Sequence, residues 1–521
     1  MRLLPYRMSA KVSLAERRRY SCLTLSLMVL TSIVLVVACS SGVEASGRAA
    51  ATGPLRPSIS NPRYFTDGSQ QVIYLTGSHN WASLQDIGTV DPPAKFDYTA
   101  FVNFLEAHGH NFMRMWVWEQ AKWVPWATDD VYVEPLPYVR EGPDLALDNK
   151  PQFNLEKFNQ EYFDRLRARV IEAGEHGIYV SIMLFEGFSI KRTWTGRVGN
   201  PWPGHPFNKS NNINGIDGDL NGGNEGIDLY TLNVDPRIVA AQTRQEAYVK
   251  KVIDTVNDLD NVLYEIINEG HPSSIPWQYH IINMIKLYER TKPKQHPVGM
   301  TSVGGLGPYD DTGDLFAGPA DWISPTNKRD DYKSNPPAAD GSKVILSDTD
   351  HLWGTGGDYV WVWKSFLRGL NPIFMDPWEP LPGSTKRMND PTIPAWGPAR
   401  KAMGDTLRYA KKMDLAAMVP HEDLCSSTFC LANPGIEYLV YLPFESHWLE
   451  PYIRFLPSYR LQEWINCTVT VDLGQAPSAL TVEWFNPSTG EVTPADATTG
   501  GGPQSFTSPF GGDAVLYLVA Q

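Results

Sequence analysis

The sequence predicts a (β/α)8 TIM barrel followed by a small all-β sandwich. Three observations carry this. From about residue 58 to 414, short apolar runs alternate with amphipathic stretches, as in βα units around a parallel sheet. Several of those runs stop abruptly in polar residues, most sharply Val262-Leu-Tyr-Glu-Ile-Ile-Asn-Glu-Gly270. Polar groups at the carboxyl ends of buried strands are where α/β barrels place chemistry. After residue 414 the runs become short and β-like, punctuated by Asn, Pro and Gly, which reads as a sandwich over 415–521.

The first residues read as an address. Arg17-Arg18-Arg19 is a basic region, Cys22 to Ala38 is uncharged and mostly apolar, and Val36-Val37-Ala38-Cys39 is similar to a bacterial lipobox. That pattern predicts a signal peptide over 1–38 and lipidation of Cys39, with ordinary cleavage near Ala45 or Ala49 as the alternative. Either way the body of the chain is expected to be exported, lipid-anchored or secreted. Residues 39–57, rich in Ala, Gly, Thr and Pro, read as a flexible linker.

The barrel is expected over 58–414. Val72–Thr76 is the first strand and leads into Gly77, Ser78, His79, Asn80 and Trp81; a helix over Tyr98–His108 places Phe101, Phe104 and Leu105 at helical spacing. Asn111–Val117 is the second strand, ending in Trp118 and Glu119, with a helix near Leu155–His176. Ile178–Leu184 is the third, ending in Phe185 and Glu186. Residues 190–234 are a long insertion of the kind that forms lids or binding loops. Pro236 opens a helix with Val249, Val252, Ile253 and Val256 on one face. The strand ending in Asn268 and Glu269 is the fourth. Runs near Pro297–Ser302 and Asp321–Ser324 are the fifth and sixth. Lys343–Ser347 leads into Asp348, Thr349, Asp350 and His351 as the seventh, and Asn371–Asp376 is the eighth. After the helix Ala399–Lys412, the runs Tyr438–Leu442, Thr468–Val471, Leu480–Trp484 and Val515–Val519 are expected strands of the sandwich.

Composition narrows the function. Residues 1–38 hold six basic residues and one acidic, so removing them takes the net charge from −13 to −18. A chain that acidic is unsuited to nucleic acids or acidic glycans, and a neutral ligand fits better. The chain carries 17 Trp, 23 Tyr and 20 Phe, and sugar rings stack on such aromatic faces. Beyond the signal no apolar stretch is long enough to span a bilayer, so the only membrane contact expected is the lipid anchor. Cys425, Cys430 and Cys467 remain in the body. Export favours a disulfide, and Cys425 and Cys430 are close enough in sequence to close a small loop, although sequence leaves the pairing open. No cofactor is expected.

The run Tyr264-Glu-Ile-Ile-Asn-Glu269 resembles the acid/base signature at the end of the fourth strand of retaining (β/α)8 glycoside hydrolases. With Leu75-Thr-Gly-Ser-His-Asn-Trp81, Asn111-Phe-Met-Arg-Met-Trp116, Tyr438-Leu-Val-Tyr-Leu-Pro443, Trp484-Phe-Asn-Pro487 and Thr489-Gly490, the chain from about residue 60 onward resembles the apiosidase-like (DUF4038) barrel family and its C-terminal putative collagen-binding partner domain. Collagen binding is not carried over. The resemblance implies a glycoside hydrolase acting on O-glycosidic bonds of a neutral plant or microbial polysaccharide. The sequence departs from the wider clan at the seventh strand, where Asp348 stands in place of the usual Glu.

A retaining glycosidase needs two carboxyls about 5–5.5 Å apart, one protonated and one ionised. Glu269 is the expected acid/base. Asp348 is the expected nucleophile, with Asp350 its rival because a period-two strand points both the same way. Asn268 is expected on the sugar 2-hydroxyl and Arg114 beside the nucleophile. His79, Trp81, Glu119, Glu186, His351, Trp353 and Asp376 are strand-end candidates for substrate contact. Two other readings use the same residues: a non-catalytic glycan-binding or adhesion protein, or a metal-dependent hydrolase using Asp348, Asp350, His351 and His79.

Overall fold

The computed structural model describes residues 51–521 apart from 70, 192–197, 304–308, 385–389, 391, 395, 445–465 and 478. The expected signal segment 1–38, Cys39 and the linker up to residue 50 lie outside the described residues.

Eight parallel strands form the central sheet: Gly77–His79, Phe112–Met115, Tyr179–Glu186, Val262–Asn268, Val298–Thr301, Trp322–Ser324, Val344–Asp348 and Asn371–Met375. Each pairs with its neighbours in sequence. The eighth pairs with the first, and a parallel bridge from Asn80 to Met115 brings the first onto the second, so the sheet closes into a barrel. Strands buried on both faces read as continuous apolar runs, which is what made them legible. Phe112, Tyr179, Leu263, Trp322, Val344, Leu346 and Ile373 pack together from the strands, with Leu55, Phe65 and Leu75 completing the cluster.

Two sequence expectations shift. The first barrel strand is Gly77–His79 and not Val72–Thr76. The Leu75 amide is taken by the Asn371 side chain at 3.0 Å and the Thr76 amide by Asn111 at 2.9 Å, while Ile73 pairs antiparallel with Phe65. Gly77 then lies so close to the second strand that a β-carbon would sit 2.1 Å from the Phe112 carbonyl oxygen. The second helix is Gln160–Glu175, capped by the Asn159 side chain, and does not reach back to Leu155. Residues Pro151–Phe158 instead pair with Tyr138–Leu145 as a hairpin over the loop face.

The insertion 190–234 is a packed excursion where described. It turns through Trp202–Gly204, Lys209–Asn211 and Ile227–Tyr230 and buries Trp202, Phe207, Leu229 and Tyr230. The Asn212 amide donates to the carbonyls of Pro206, Asn208 and Ile216, replacing the ladder that the segment lacks. The helix Pro236–Val256 follows, with Asp235 capping and Pro236 in its first turn.

The C-terminal part is antiparallel. A six-stranded sheet runs Val419–Pro420, Cys430–Asn433, Glu437–Leu442, Ala514–Ala520, Ala479–Phe485 and Val492–Thr499 in spatial order, and Asn466–Asp472 pairs with Pro503–Gly511 as a second sheet. Alternation sorts the faces. Tyr438, Val440 and Leu442 join Val469 and Val471 in the sandwich core. Leu439, Tyr441, Phe485 and Tyr517 join the barrel core instead, where Trp363 lies within 6.0 Å of both Tyr441 and Phe485.

Gly299 in the fifth strand gives the sharpest packing test. A β-carbon there would lie 1.9 Å from the Trp322 ring. Gly299→Val should destabilise the barrel by roughly 1–3 kcal/mol, read by chemical denaturation; an unchanged midpoint would contradict this packing.

Candidate active site

At the carboxyl ends of the strands one guanidinium organises the centre. Arg114, in the second strand, is fully buried. Its Nε and Nη2 donate to the two oxygens of Glu265 at 2.8 and 2.6 Å. Nη1 donates to Asp348 at 2.6 Å and to Asp350 at 3.2 Å, and Nη2 also donates to the Asn268 side-chain oxygen at 2.9 Å. A planar five-donor fork can serve four partners at once in a way that an ammonium cannot.

Asp348 ends the seventh strand and is 0% exposed. One oxygen accepts from His79 Nε2 at 3.0 Å and from the Asp350 amide at 2.9 Å, and the other accepts from Arg114. Burial works to raise its pKa, but the charges of His79 and Arg114 overturn that and hold it below the usual carboxylate range. Asp348 is therefore an ionised carboxylate with both oxygens engaged. Asp350 does not continue the strand. Asp348 caps a short helix, Thr349–Leu352, and that turn carries Asp350 outward.

Glu269 follows the fourth strand with a backbone φ of +40°, unusual for a side chain of its size and of the kind that clusters at functional sites. Gly187 makes the approach possible, since a β-carbon there would lie 2.2 Å from the Glu269 carbonyl oxygen. Glu269 and Asp350 are each 4% exposed, against 0% for Glu186, Glu265 and Asp348. Burial raises the pKa of Asp350, the charge of Glu269 raises it further, Arg114 opposes, and the net is well above the ordinary value. Glu186, at the end of the third strand, is also held high, first by burial and then by Asp350 and Glu269. Ionising any one of these three carboxyls opposes ionising the others, so the group retains a proton that isolated carboxylates would lose.

The remaining expected residues divide. Asn268 is fully buried; its oxygen accepts from Arg114 and its amide nitrogen lies 3.3 Å from both Glu186 oxygens. His351 Nε2 meets the Asn268 oxygen at 3.2 Å and its Nδ1 meets Ser324 at 2.8 Å. Burial takes its pKa down to about 3, so the ring is neutral. A cation held by Asp348, Asp350 and His351 would have to displace the Arg114 guanidinium and take His351 Nε2 from the Asn268 oxygen. Glu119 accepts from the Glu186 amide at 2.9 Å and the Tyr230 hydroxyl at 2.6 Å, tying the insertion to the third strand. Asp376 is buried against Arg400, whose Nε donates at 2.8 Å. Trp81 is buried, with its carbonyl accepting from Trp118 Nε1. Trp81 and Asp376 are buried structural partners, while Glu119 stays half-buried. Trp353 stays half-buried, one face under the Lys333 ammonium at 4.8 Å. His79 stacks on Trp116 with ring centres 5.6 Å apart.

Sequence reasoning assigned no role to Glu265, Ser324 or Tyr230. Glu265 carried a usable signal: a charge in the middle of a buried strand needs a partner, and Arg114 is the matching charge in another. Surface cavities of about 390 Å³ beside Asp86 and Tyr138, and about 430 Å³ at the opposite barrel end beside Asn111 and Tyr179, include none of the five carboxyls, so the chemistry and not the volume marks the site.

No protein family and no curated protein matches the chain. Among solved structures, one named "Glycoside hydrolase" aligns over 90% of this chain and 97% of its own length at 11% identity, with a TM-score of 0.54. A glycoside hydrolase family 5 structure from Bacteroides vulgatus aligns over 90% of this chain and 93% of its own at 13% identity, with a TM-score of 0.52. At such identity the likeness is one of fold, and it extends over most of this chain.

The linked carboxyls make two predictions. Arg114→Met leaves Glu265 and Asp348 buried without their cation and should cost about 3–5 kcal/mol in denaturant titrations; a loss under about 1 kcal/mol would contradict the arrangement. The pH dependence has two signs. The depressed Asp348 pKa contributes stability that is present above about pH 4 and is lost as pH falls below it. The raised Asp350 and Glu186 pKa values act oppositely, so stability falls as pH rises from about 4 through their folded-state values. Asp350→Asn should flatten that decline in unfolding free energy measured across pH, and equal slopes in variant and wild type would refute it.

Proposed function

We propose that the chain is a glycoside hydrolase in which Glu269 is the acid/base and Asp350 the partner carboxylate. The observation that carries this is the division of the five carboxyls: Glu269 and Asp350 alone keep exposure, and each disfavours ionisation of the other. That pairing supplies a proton for the leaving oxygen beside a carboxylate for the anomeric centre. Asp348, the nucleophile expected by strand position, becomes the ionised group that fixes Arg114 and the Asp350 amide. The fold likeness to glycoside hydrolases supports this reading.

The reaction proceeds by retention in this reading: the Glu269–Asp350 pair shares one proton, and with that proton on Glu269 for the departing oxygen, Asp350, ionised beside Arg114, attacks the anomeric carbon. Water, activated by the Glu269 carboxylate, then releases the sugar. The substrate is a neutral plant or microbial glycan, in keeping with the strongly acidic chain. The lipobox-like Val36–Cys39 supports export with Cys39 as the lipid attachment point.

Reducing-sugar release from a panel of neutral polysaccharides tests the assignment. Glu269→Gln and Asp350→Asn should each lower kcat by about 10²-fold or more with folding retained. Azide should restore turnover to Asp350→Ala as a glycosyl azide of inverted configuration, and the first wild-type product seen by proton NMR should keep the substrate's anomeric configuration. Full activity in Asp350→Asn alongside an inactive Asp348→Asn would return the nucleophile to Asp348; full activity in Glu269→Gln would end the proposal.

A further inference from the structure

We infer, on the reading of Glu269 as acid/base, that Glu119 is a positioning residue: it grips the turn that fixes Glu269 and ties that turn to the 190–234 insertion. A backbone φ of +40° is costly for a glutamate and persists only where neighbours enforce it. The enforcing neighbour is the end of the third strand. Glu186 pairs in register with Asn268, and the Asn268 amide nitrogen lies 3.3 Å from both Glu186 oxygens. Gly187 then presses on the next peptide. A β-carbon there would lie 2.7 Å from the Asn268 carbonyl oxygen and 2.2 Å from that of Glu269. A shift of Glu186 and Gly187 is therefore passed to Glu269.

Glu119 holds both ends of this turn. Residues Gly187–Ser189 form one 3-10 turn, with the Glu186 side chain accepting from the Phe188 amide at 2.8 Å. Glu119 Oε2 accepts from the Glu186 amide at 2.9 Å, and the Glu119 amide donates to Ser189 Oγ at 3.0 Å. A buried amide needs an acceptor, and a carboxylate oxygen is a strong one. The same oxygen accepts from the Tyr230 hydroxyl at 2.6 Å, 111 residues along the chain. His205 of the insertion also faces this carboxylate. Its Nδ1 accepts from the Phe207 amide at 3.1 Å, which leaves the ring proton on Nε2, 3.6 Å from Glu119 Oε1. Tyr230 is itself fixed, its ring centre 5.3 Å from that of Trp277 and 6.1 Å from that of Phe185.

A half-buried glutamate at a strand end also suits direct contact with a sugar, and the two roles differ in their kinetics. A contact made equally in the bound and transition states moves KM. A residue that acts through the backbone of Glu269 moves kcat, because a displacement of about 1 Å at a reacting group can cost about 10²-fold. The donors around Glu119 also define which substitution is conservative. The Glu186 amide and the Tyr230 hydroxyl share one oxygen, so a glutamine oxygen in that place can serve both.

The test combines kinetics on the polysaccharide that the wild type cleaves with hydrogen exchange on the full chain, and chemical denaturation confirms folding. Glu119→Ala should lower kcat by about 10²-fold and leave KM within about twofold. Glu119→Gln should recover most of that loss. Tyr230→Phe keeps the buried ring, removes one hydroxyl and should lower kcat by about 2- to 10-fold. In Glu119→Ala and Tyr230→Phe the amides of Asn268 and Glu269 should exchange faster, while those of Trp322–Ser324 keep their wild-type rates. A rise in KM at unchanged kcat, or unchanged exchange at Asn268 and Glu269 in both variants, overturns the inference. Hydrogen exchange needs no turnover. Faster exchange beside a fully active Glu269→Gln would end the acid/base assignment and leave the positioning of Glu269 by Glu119 standing.

Discussion

Everything at the centre of this molecule depends on a single buried cation. Arg114 faces Glu265, Asp348 and Asp350, and two further carboxyls, Glu186 and Glu269, lie in the same group. Taking a guanidinium out of water costs several kcal/mol unless its donors are matched. Here Nε, Nη1 and Nη2 all have acceptors, so the charge is retained and its pKa stands above the ordinary value, because the Glu265 and Asp348 charges outweigh burial. With more carboxyls than cations, the cluster must keep protons. A low-dielectric pocket that keeps a proton beside an ionised group is what acid/base chemistry on a sugar requires.

The same economy explains why the polar strand ends are so occupied. Asn268, His351 and Ser324 form a line of hydrogen bonds that leaves the imidazole neutral and the Asn oxygen turned to Arg114. Glu119 and Tyr230 anchor the 190–234 insertion to the backbone of Glu186. Residues that look like ligand contacts when read singly are partners of one another. Glu269 and Asp350 keep a little exposure, and Glu119 and Trp353 are half-buried.

The C-terminal sheets are bound into the barrel rather than appended to it. The strand Glu437–Leu442 sends alternate side chains to the sandwich and to the barrel, and Trp363, Tyr409, Tyr441, Phe485 and Tyr517 form a shared aromatic cluster. Aromatic pairs at these spacings add to the burial of their area.

The sequence by itself determined the barrel, its strand order and the sandwich, because apolar runs of strand length and their polar ends depend only on local periodicity. Glu269, Asp348, Asp350, Arg114 and His79 were legible as candidates for the same reason: charge inside or at the end of an apolar run is conspicuous. Tertiary structure alone decided their partners. Asp348 and Asp350 are two residues apart and indistinguishable by pattern, yet a helical turn at Thr349 buries one against Arg114 and His79 and carries the other outward. The true first strand, Gly77–His79, escaped notice because side chains from other strands, Asn371 and Asn111, satisfy the backbone just before it. Hydrogen-bond partners hundreds of residues away leave no local trace, and such partners decide which carboxyl keeps its proton.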